Sequence, residues 1–417
     1  MTPEQATSFG ERLRRHRERA GLSQEELAER AGLTASAIGA LERGTRRRPY
    51  PNTIRLLSAA LGLSEEEAAA FTAAAPRRGD AQSGGMSPAP SGRSLSNLPV
   101  QRTALIGRRR EVAELSKLLR HRKTRLITMT GVGGSGKTRL ALHVAGEVQD
   151  AFADGVWVVE LASVTDPTLA AQAVAAALGV PEAPGVPLID SLVTVLRSRT
   201  LLLVLDNCEH LLDACMHLVD RLLATCPGVR ILATSREVLQ VAGERQWRVL
   251  PLPVPDPEQP TSIEELAGYP SVQLFVERAQ AAAGFRLTAA NAAAVAQICT
   301  RLAGIPLALE LAAARVRVLG VEQIVERLDD ALRLLTGGSR AAPTRQQTLR
   351  AAMDWSYELL SEPEQALFRR LAVFAGGWAL DAAEAMSAEE NGTVLDLLGQ
   401  LVGKSLVLAD LRAGGET

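Results

Sequence analysis

The sequence predicts a multidomain protein: an all-α module, an α/β domain with a parallel sheet, and a helical C-terminal region. Three observations predict this class. Short amphipathic segments of helical period fill roughly the first 75 residues. Apolar strand-like segments then alternate with helical ones between about residues 126 and 250, which is typical of a parallel sheet. Beyond residue 256 the patterns are mostly helical.

Length and composition limit the class of protein. The chain has 417 residues, a formal net charge of −1 and 47% hydrophobic residues, enough for more than one folded core. No apolar run is long enough to span a bilayer, and the first residues lack the apolar segment of a secretion signal. We therefore expect a cytoplasmic protein without a membrane partner. Its cysteines lack paired metal-binding spacing, which indicates reduced core thiols at Cys208, Cys215, Cys226 and Cys299.

The first module is predicted to contain five short helices. Ser23 and Glu26 have the spacing of a capping box at the start of the second helix. The helices are expected at Phe9 to Ala20, Ser23 to Ala31, Ala35 to Arg43, Asn52 to Leu61 and Glu65 to Ala74. Their apolar positions predict a small core of Leu13, Leu27, Ile38, Leu41, Ile54, Leu57 and Leu61.

The run LRRHRERAGLSQEELAERAGLTASAIGALERG resembles the lambda-repressor-like (XRE-type) helix-turn-helix over about sixty residues. The resemblance implies that the third helix enters the major groove of DNA. It further implies that Gln24 hydrogen-bonds a phosphate and that Arg17 pairs with Glu42. The expected contacts to the DNA backbone come from Arg43, Arg46, Arg47 and Arg48.

The start of the third helix departs from that family. The positions that normally contact bases are Thr34, Ala35, Ser36 and Ala37. None of these side chains can make the bidentate contacts that Arg, Asn or Gln make with bases. The sequence therefore leaves open a DNA reader with weak sequence preference and a module that holds a protein partner.

A Gly-, Ser- and Pro-rich segment, Pro76 to Pro99, is expected to be a flexible linker. Its residues would span roughly 25–30 Å as a random coil. Such a linker cannot transmit a rigid rotation, so control of DNA binding would require two modules to be brought together.

The segment TGVGGSGKT carries the clearest chemical signal, because Gly131 to Thr138 fits G-x-x-x-x-G-K-[ST]. Glycines in this motif let backbone N–H groups point at phosphates, and Lys137 can reach the β- and γ-phosphates. The Thr138 hydroxyl can ligate Mg²⁺, and the helix that follows adds its positive N-terminus. The residues expected to bind nucleotide here are Gly131, Val132, Gly133, Gly134, Ser135, Gly136, Lys137, Thr138 and Arg139.

Two charged residues follow later strands of the predicted sheet. Asp206 closes LLLVLD, where it can hold Mg²⁺ opposite Thr138, although an ordinary strand-end aspartate is the alternative. Arg236 follows the next strand and can contact a γ-phosphate, the alternative being a surface ion pair. The predicted strands are Leu126 to Thr130, Val156 to Leu161, Leu201 to Asp206, Val229 to Ser235 and Gln246 to Leu250.

Five motifs in order, ALIGRRREVAEL, TGVGGSGKT, LLLVLDNCEH, ILATSRE and LAGIPLALELAA, resemble the NB-ARC ATPases of the STAND class. The variety they resemble most is that of bacterial transcriptional regulators. The resemblance implies that Ile106, Gly107 and Arg108 line the adenine side and that Pro306 packs on the base. It implies ATP, ADP and Mg²⁺ as ligands, a closed ADP state, and self-association after exchange for ATP.

The residue after Asp206 bears on turnover. Fast relatives place a second acid there, but this chain has Asn207, which cannot accept a proton as a carboxylate can. Glu209 lies two residues further on and is a possible substitute. The sequence therefore favours a nucleotide switch with slow hydrolysis over an active ATPase, without excluding the latter.

The C-terminal region is expected to hold a helical cap domain and a winged-helix domain. The predicted boundaries are 1–75 for the helix-turn-helix, 76–99 for the linker, 100–255 for the P-loop NTPase, 256–337 for the cap and 338–417 for the winged helix. KSLVLAD, Lys404 to Asp410, is predicted as the first strand of a wing whose return strand is missing, so we expect a truncated domain. The predicted winged-helix core is Leu349, Trp355, Leu359, Leu360, Leu367, Phe368, Leu371 and Phe374.

The sequence as a whole predicts an ATP/ADP-switched transcriptional regulator that binds DNA and responds to an inducer sensed by a further C-terminal region. A signalling or defence NTPase whose first module recruits a protein is the alternative from another class. An active ATPase is the third.

Overall fold

In a computed structural model, the chain folds into two compact units, Met1–Ser91 and Gly92–Thr417. The structure describes residues 9–31, 35–42, 57–58, 60–61, 63, 67, 71, 96–101, 103–121, 123–256, 262–335, 348–374, 377–386 and 394–409.

The first unit contains helices α1 (Phe9–Arg19), α2 (Gln24–Ala31) and α3 (Ala35–Glu42). The predicted capping box is present, since Ser23 Oγ accepts the Glu26 N–H at 3.1 Å and Glu26 Oε2 accepts the Ser23 N–H at 2.7 Å. These contacts start α2 and fix the turn after α1. The buried core consists of Phe9, Leu13, Leu22, Leu27, Ala28, Ala31, Ile38, Leu41, Leu57 and Phe71. The predicted core residue Ile54 lies outside the described residues.

The second unit begins with a five-stranded parallel sheet in the order β2-β3-β4-β1-β5. Its strands are β1 (Leu126–Thr130), β2 (Val156–Glu160), β3 (Leu201–Asp206), β4 (Val229–Thr234) and β5 (Glu244–Arg248). The helices around them are α4 (Arg109–Arg120), α5 (Lys137–Glu147), α6 (Ala170–Leu178), α7 (Leu188–Leu196) and α8 (Leu212–Thr225). The predicted strands are confirmed, with β5 starting and ending two residues early.

Burial on both faces explains the apolar runs of the central strands. β1 and β3 are buried along their whole length, with one apolar cluster on each side of the sheet. In this strand order β4 lies between β3 and β1, so the carboxyl ends of all three strands meet at one edge. Residues that follow these strands therefore converge there.

Part of the predicted linker belongs to the sheet. Ser96 forms a parallel bridge with Val156. The Asn97 side chain donates to the Val158 carbonyl at 2.8 Å and accepts the Val158 N–H at 2.7 Å. Asn97 thus satisfies backbone groups of the edge strand β2, and the α/β unit starts before residue 99.

Helices without strands follow the sheet: α9 (Ile263–Gly268), α10 (Pro270–Ala283), α11 (Ala292–Arg301), α12 (Pro306–Arg315), α13 (Val321–Arg327) and α14 (Ala331–Leu334). They share one apolar core. A tight turn at Gly304, with φ +64°, leads into α12, and Gly304 O accepts the Leu252 N–H at 2.9 Å. This bond fixes the start of α12 against the chain leaving the sheet.

The last described helices are α15 (Leu349–Glu358), α16 (Glu362–Leu371), α17 (Leu380–Ala385) and α18 (Val394–Gly403). Their small core contains Leu360, Leu367, Leu371, Ala383, Leu398 and Leu401. No helix in the described part of the chain combines the length and apolar character needed to cross a bilayer.

Two predictions for this region are wrong. Lys404 to Ala409 forms no strand: Ser405 has φ +59°, and both Leu406 and Val407 donate to the Leu401 carbonyl, which turns the backbone onto α18. The physical reason is that no partner strand for this segment exists among the described residues, whereas the core beside α18 accepts its apolar side chains. Trp355 and Leu349, both predicted for the winged-helix core, also lie outside the small core: Trp355 lies at the site described next, and Leu349 packs against the preceding helical core.

Candidate functional site

The phosphate-binding motif forms a loop between β1 and α5 whose shape depends on glycine. Gly131, Gly134 and Gly136 have φ values of +151°, +80° and +92°. A Cβ at Gly131 would lie 2.5 Å from the Val249 carbonyl oxygen, and one at Gly134 would lie 2.8 Å from Leu307 Cβ. The loop therefore curves closely under its neighbours in a conformation that other residues rarely adopt.

Polar groups inside the loop fit an anion. The Lys137 side chain is buried, and its Nζ donates to the carbonyls of Gly131 at 2.7 Å and Val132 at 3.1 Å. The Ser135 hydroxyl is buried and has no hydrogen-bond partner among the described residues. A buried hydroxyl without a partner costs stability unless a ligand satisfies it. Together with the N-terminus of α5, these groups suit a phosphate chain.

Asp206 lies directly beside the loop, as predicted. Its Oδ1 accepts hydrogen bonds from Thr138 Oγ1 and from Thr234 Oγ1, both at 2.6 Å. The pair of Thr138 hydroxyl and Asp206 carboxylate offers two oxygen donors, the ligand type that Mg²⁺ prefers. The residues present thus fit the metal that accompanies nucleotide in P-loop proteins. Among the described residues no three His, Cys, Asp or Glu side chains form a separate metal cluster.

The two residues considered for water activation are held by other groups. Asn207 has φ +65°, and its Nδ2 donates to Glu209 Oε1 at 3.3 Å. The Glu209 side chain is 4% exposed, and its Oε1 lies 3.7 Å from Arg236 Nε. Glu209 therefore forms a buried ion pair with the residue predicted to contact a γ-phosphate.

Arg236 also packs on a tryptophan that the sequence did not place here. The Arg236 guanidinium carbon lies 4.6 Å from the Trp355 ring centroid, a cation–π contact. The Trp355 ring meets His210 edge to face at 5.7 Å, and His210 Nε2 lies 2.8 Å from the Val164 carbonyl oxygen. In the sequence Trp355 belongs to an apolar helical pattern. That pattern predicted a position in the winged-helix core and did not indicate a contact with Arg236.

The helical region that follows the sheet also contacts the phosphate-binding loop, through the start of α12. Pro306 is the first residue of α12, and the next residue, Leu307, donates its N–H to the Gly134 carbonyl at 3.2 Å. Glu310, one turn further on, accepts from Arg139 at 3.4 Å and from Arg278 at 3.0 Å. Burial lowers the pKa of Arg139. These contacts join α5, α10 and α12 around one cavity.

The three residues predicted to line the adenine side have different surroundings in the structure. Arg108 is buried and donates to Glu111 at 2.7 Å and to the Leu250 carbonyl at 2.5 Å. Ile106 packs against the helical core. Gly107 has φ +70°, and a Cβ there would lie 2.3 Å from Pro270 Cβ, so its role is to permit close backbone approach.

A cavity of about 310 Å³ brings most predicted nucleotide-site residues together. The predicted residues that line it are Ile106, Arg108, Gly133, Gly134, Ser135, Gly136, Lys137, Thr138, Arg139, Asn207, Glu209, Arg236 and Pro306. Predicted residues that do not line it are Gly107, Gly131, Val132 and Asp206. Other residues that line the cavity include Leu252, Leu274, Leu307, Glu310, Ala352 and Trp355, none of which the sequence had indicated. Glu310 could have been found, since it lies one helical turn after Pro306 in the same motif.

The candidate DNA-binding residues are only partly described. Arg17 and Glu42 form the expected ion pair, with Nε–Oε1 at 2.6 Å and Nη2–Oε2 at 3.1 Å. Gln24, predicted to contact a phosphate, donates its side-chain amide to Glu42 Oε2 at 2.7 Å. Thr34, Arg43, Arg46, Arg47 and Arg48 lie outside the described residues, as do the side chains of Ala35, Ser36 and Ala37.

The cysteines are free and buried. Burial raises the pKa of the Cys299 thiol to about 12, and a hydrogen bond with Cys215 together with burial raises the pKa of Cys208. Their prediction as core thiols is confirmed.

Three protein families match separate parts of the chain. A helix-turn-helix domain family matches residues 8–71, an AAA domain family matches residues 120–241, and a winged helix-turn-helix domain family matches residues 360–417. The fold class predicted from the sequence, with a P-loop NTPase-type parallel sheet at the centre, is therefore confirmed.

Solved structures show only distant likenesses. The STAND protein PH0952 from Pyrococcus horikoshii, with a tetratricopeptide repeat sensor, has 16% identity and a TM-score of 0.32, covering 72% of this chain and 39% of its own. The Aeropyrum pernix ORC2 protein has 14% identity and a TM-score of 0.43, covering 75% and 90%. These likenesses are too weak to bear on function.

Sequence relatives are closer. Mycobacterium tuberculosis Rv0890c, which carries the provisional name HTH-type transcriptional regulator, is 49% identical over 292 residues. The match covers 69% of this chain but only 31% of that protein, so the chain spans about a third of the relative. The regulatory protein AfsR of Streptomyces griseus is 29% identical over 86% of this chain and 36% of its own length.

A shorter relative decides the family. The uncharacterized protein Rv0894 of Mycobacterium tuberculosis is 42% identical over 317 residues, which are 75% of this chain and 77% of that protein. With so much of both chains aligned at this identity, the chain belongs to the same family as Rv0894.

Proposed function

We propose that the chain is a nucleotide-switched transcriptional regulator of the NB-ARC/STAND type, with boundaries near those predicted above. It holds ADP in a closed state, exchanges it for ATP, self-associates, and binds DNA through its helix-turn-helix. The names of Rv0890c and AfsR support the regulatory part of this proposal.

One observation carries the proposal. A single cavity is lined by the phosphate-binding loop, by the helical region at Pro306, and by α15 at Ala352 and Trp355. A nucleotide in it would contact all three parts at once, so its phosphate state can change how they pack. Ligand pockets commonly lie at such junctions between domains.

The site residues suit ADP or ATP with Mg²⁺. The glycine loop and Lys137 would hold the phosphates, and Thr138 with Asp206 would hold the metal, which neutralises phosphate charge when bound. Pro306 supplies an apolar surface for a base.

The same geometry favours a switch over rapid turnover. Glu209 lines the cavity and is the candidate carboxylate for orienting an attacking water, yet it is paired with Arg236 and accepts from Asn207. Asn207 itself cannot act as a base. Slow hydrolysis would allow each nucleotide state to persist.

The first unit would bind DNA mainly through phosphates. If Arg43, Arg46, Arg47 and Arg48 neutralise about four phosphates, log K should fall against log[salt] with a slope near −3.6. Non-specific binding of this kind is typically about 10⁻⁴–10⁻⁶ M, and two modules held together gain roughly 10²–10⁴ in avidity. DNA affinity should therefore depend on assembly.

A second function, recruitment of a protein by the first unit, is favoured by one contact. The Gln24 amide, expected to bind phosphate, is already bonded to Glu42. This contact reduces the donors that Gln24 can offer to DNA.

The test compares DNA binding by the chain with ADP and with a non-hydrolysable ATP analogue, at one salt concentration. We expect tighter binding and a larger particle with the analogue, and no such difference for Lys137→Ala. Equal DNA affinity in both nucleotide states would refute control by assembly. No DNA binding even at low salt would favour protein recruitment instead.

A further inference from the structure

Helix α15 lies against the phosphate-binding loop where the loop has no side chain. A Cβ built on Gly133 would lie 3.6 Å from Ser356 Oγ, 3.8 Å from the Ala352 carbonyl oxygen and 3.8 Å from Arg236 Nη2. The Ser356 hydroxyl donates to that same Ala352 carbonyl at 2.8 Å, which fixes both groups. Gly133 therefore lies between a helix of the C-terminal region and the guanidinium of Arg236.

Trp355 is in direct contact with that guanidinium. It presents its ring face to Arg236 at 4.6 Å, while the edge-to-face contact with His210 at 5.7 Å restrains the ring itself. The carboxylate of Glu209 also lies beside Arg236, with Nε–Oε1 at 3.7 Å. The Arg236 side chain is only 8% exposed. In such a dry setting a cation–π contact is stronger than at the surface.

The surroundings of Gly133 affect whether a bound nucleotide with two or with three phosphates is favoured. Lys137 at the end of the loop would reach the β- and γ-phosphates of a bound nucleotide. A third phosphate placed near Gly133 would face the Ala352 carbonyl, whose partial negative charge disfavours an anion, while the charge of Arg236 is already paired with Glu209. A diphosphate places less negative charge at this point.

We propose that Trp355 is a positioning residue of the nucleotide site: it holds Arg236 between Glu209 and the loop at Gly133, and so makes the packing of α15 sensitive to the number of phosphates. The inference rests on the proposed nucleotide-binding function. With Trp355 in place the closed arrangement favours ADP over ATP. Without it, Arg236 can move toward a third phosphate and the preference weakens.

The test measures the affinities of ADP and of a non-hydrolysable ATP analogue, by calorimetry with Mg²⁺ present, for the full chain and its variants. Trp355→Leu should lower the preference for ADP over the analogue by up to about thirtyfold, which corresponds to losing a desolvated cation–π contact. Trp355→Phe keeps a ring face and should retain most of the preference.

Trp378→Leu is the matched control. Trp378 packs on Phe374 in the small core of the same region, at 6.3 Å between ring centroids, and does not line the cavity. We expect it to leave the ratio of the two affinities unchanged.

A double-mutant cycle tests whether Trp355 acts through Arg236. In an Arg236→Gln background, Trp355→Leu should change the ratio no further, because the positioned group is gone. An equal additional change in that background would overturn the inference.

A second measurement does not alter Trp355. In a chain where Trp157, Trp247 and Trp378 are replaced by phenylalanine, Trp355 fluorescence should be quenched by acrylamide more slowly with ADP than with the ATP analogue. Equal quenching would overturn the inference, as would a Trp355→Leu variant whose two affinities change by the same factor. In both cases ADP binding by the unaltered chain would leave the proposed function standing, whereas no ADP binding at all would overturn both.

Discussion

Replacing Glu42 with glutamine should destabilise the helix-turn-helix unit, because Glu42 is the shared acceptor of a buried ion pair and a hydrogen bond. Glu42 accepts two bonds from Arg17, at 2.6 and 3.1 Å, and one from Gln24 at 2.7 Å. The side chains of Glu42 and Arg17 are 4% and 12% exposed, so removing the charge leaves Arg17 desolvated without its partner.

The expected cost follows from the kind of bond lost. A hydrogen bond to a charged group contributes about 1.5–3 kcal/mol, and removing one partner of a fully buried pair costs about 3–5 kcal/mol. Because glutamine keeps the shape and one acceptor, we expect about 1.5–3 kcal/mol. At about 1.4 kcal/mol for each tenfold, amide exchange in the unit should accelerate about 10- to 150-fold.

Hydrogen–deuterium exchange with mass spectrometry on the full chain gives the measurement. Peptides from residues 9–42 should exchange faster, while those from the sheet should not change. Glu18→Gln is the control, since Glu18 makes an ion pair with Arg14 at 2.8 Å but is 54% exposed, and such pairs contribute little. If Glu42→Gln and Glu18→Gln give the same exchange in this unit, the reasoning about the buried pair is refuted.

Three further predictions concern the second unit. Burial tends to raise the pKa of Glu364, but its bond to Lys404 at 2.7 Å and an N-cap serine lower the pKa overall. A carboxyl whose pKa is lowered by folding stabilises the folded state above about pH 4.5, and this stabilisation is lost as the pH falls through the folded-state pKa. The difference in melting temperature between the native chain and Glu364→Gln should therefore shrink on acidification, and a constant difference would contradict the pairing. Gly304→Ala should lower the melting temperature, because φ is +64° and the new Cβ would lie 1.9 Å from the Leu252 carbonyl oxygen, so an unchanged melting curve would show that the turn is not as described. ATP turnover should be on the order of one per minute or less, and the rate should change in Glu209→Gln. Steady-state turnover at ordinary enzyme rates of about 1–10³ s⁻¹ would identify an active ATPase instead.

What the sequence predicted well was chemistry that is local in the chain. Gly131 to Thr138 carries its own geometry, and Asp206 is marked by the apolar strand before it, so their meeting follows once the sheet is parallel. Pro306 was predicted through a resemblance, and it lies in the same cavity.

What the sequence did not predict depends on packing between distant segments. Trp355 contacts Arg236 across more than a hundred residues, and its apolar helical pattern fits a core position equally well. Lys404 to Ala409 has the composition of a strand, but strand propensity depends on a partner strand, and the described residues supply none. Asn97 lies in a segment of linker composition, yet two backbone groups of an edge strand hold it.

The central claim is that this chain holds a nucleotide through its phosphate-binding loop, and the nucleotide content of the purified protein tests it most directly. Gently purified chain should release about one ADP per molecule on denaturation, measured by ion-exchange chromatography. Lys137→Ala should release none, because it removes the cation that reaches the phosphates, while Lys123→Ala, at an exposed lysine outside the site, should match the native chain. Native protein that carries no nucleotide and shows no measurable affinity for added ADP would contradict the account.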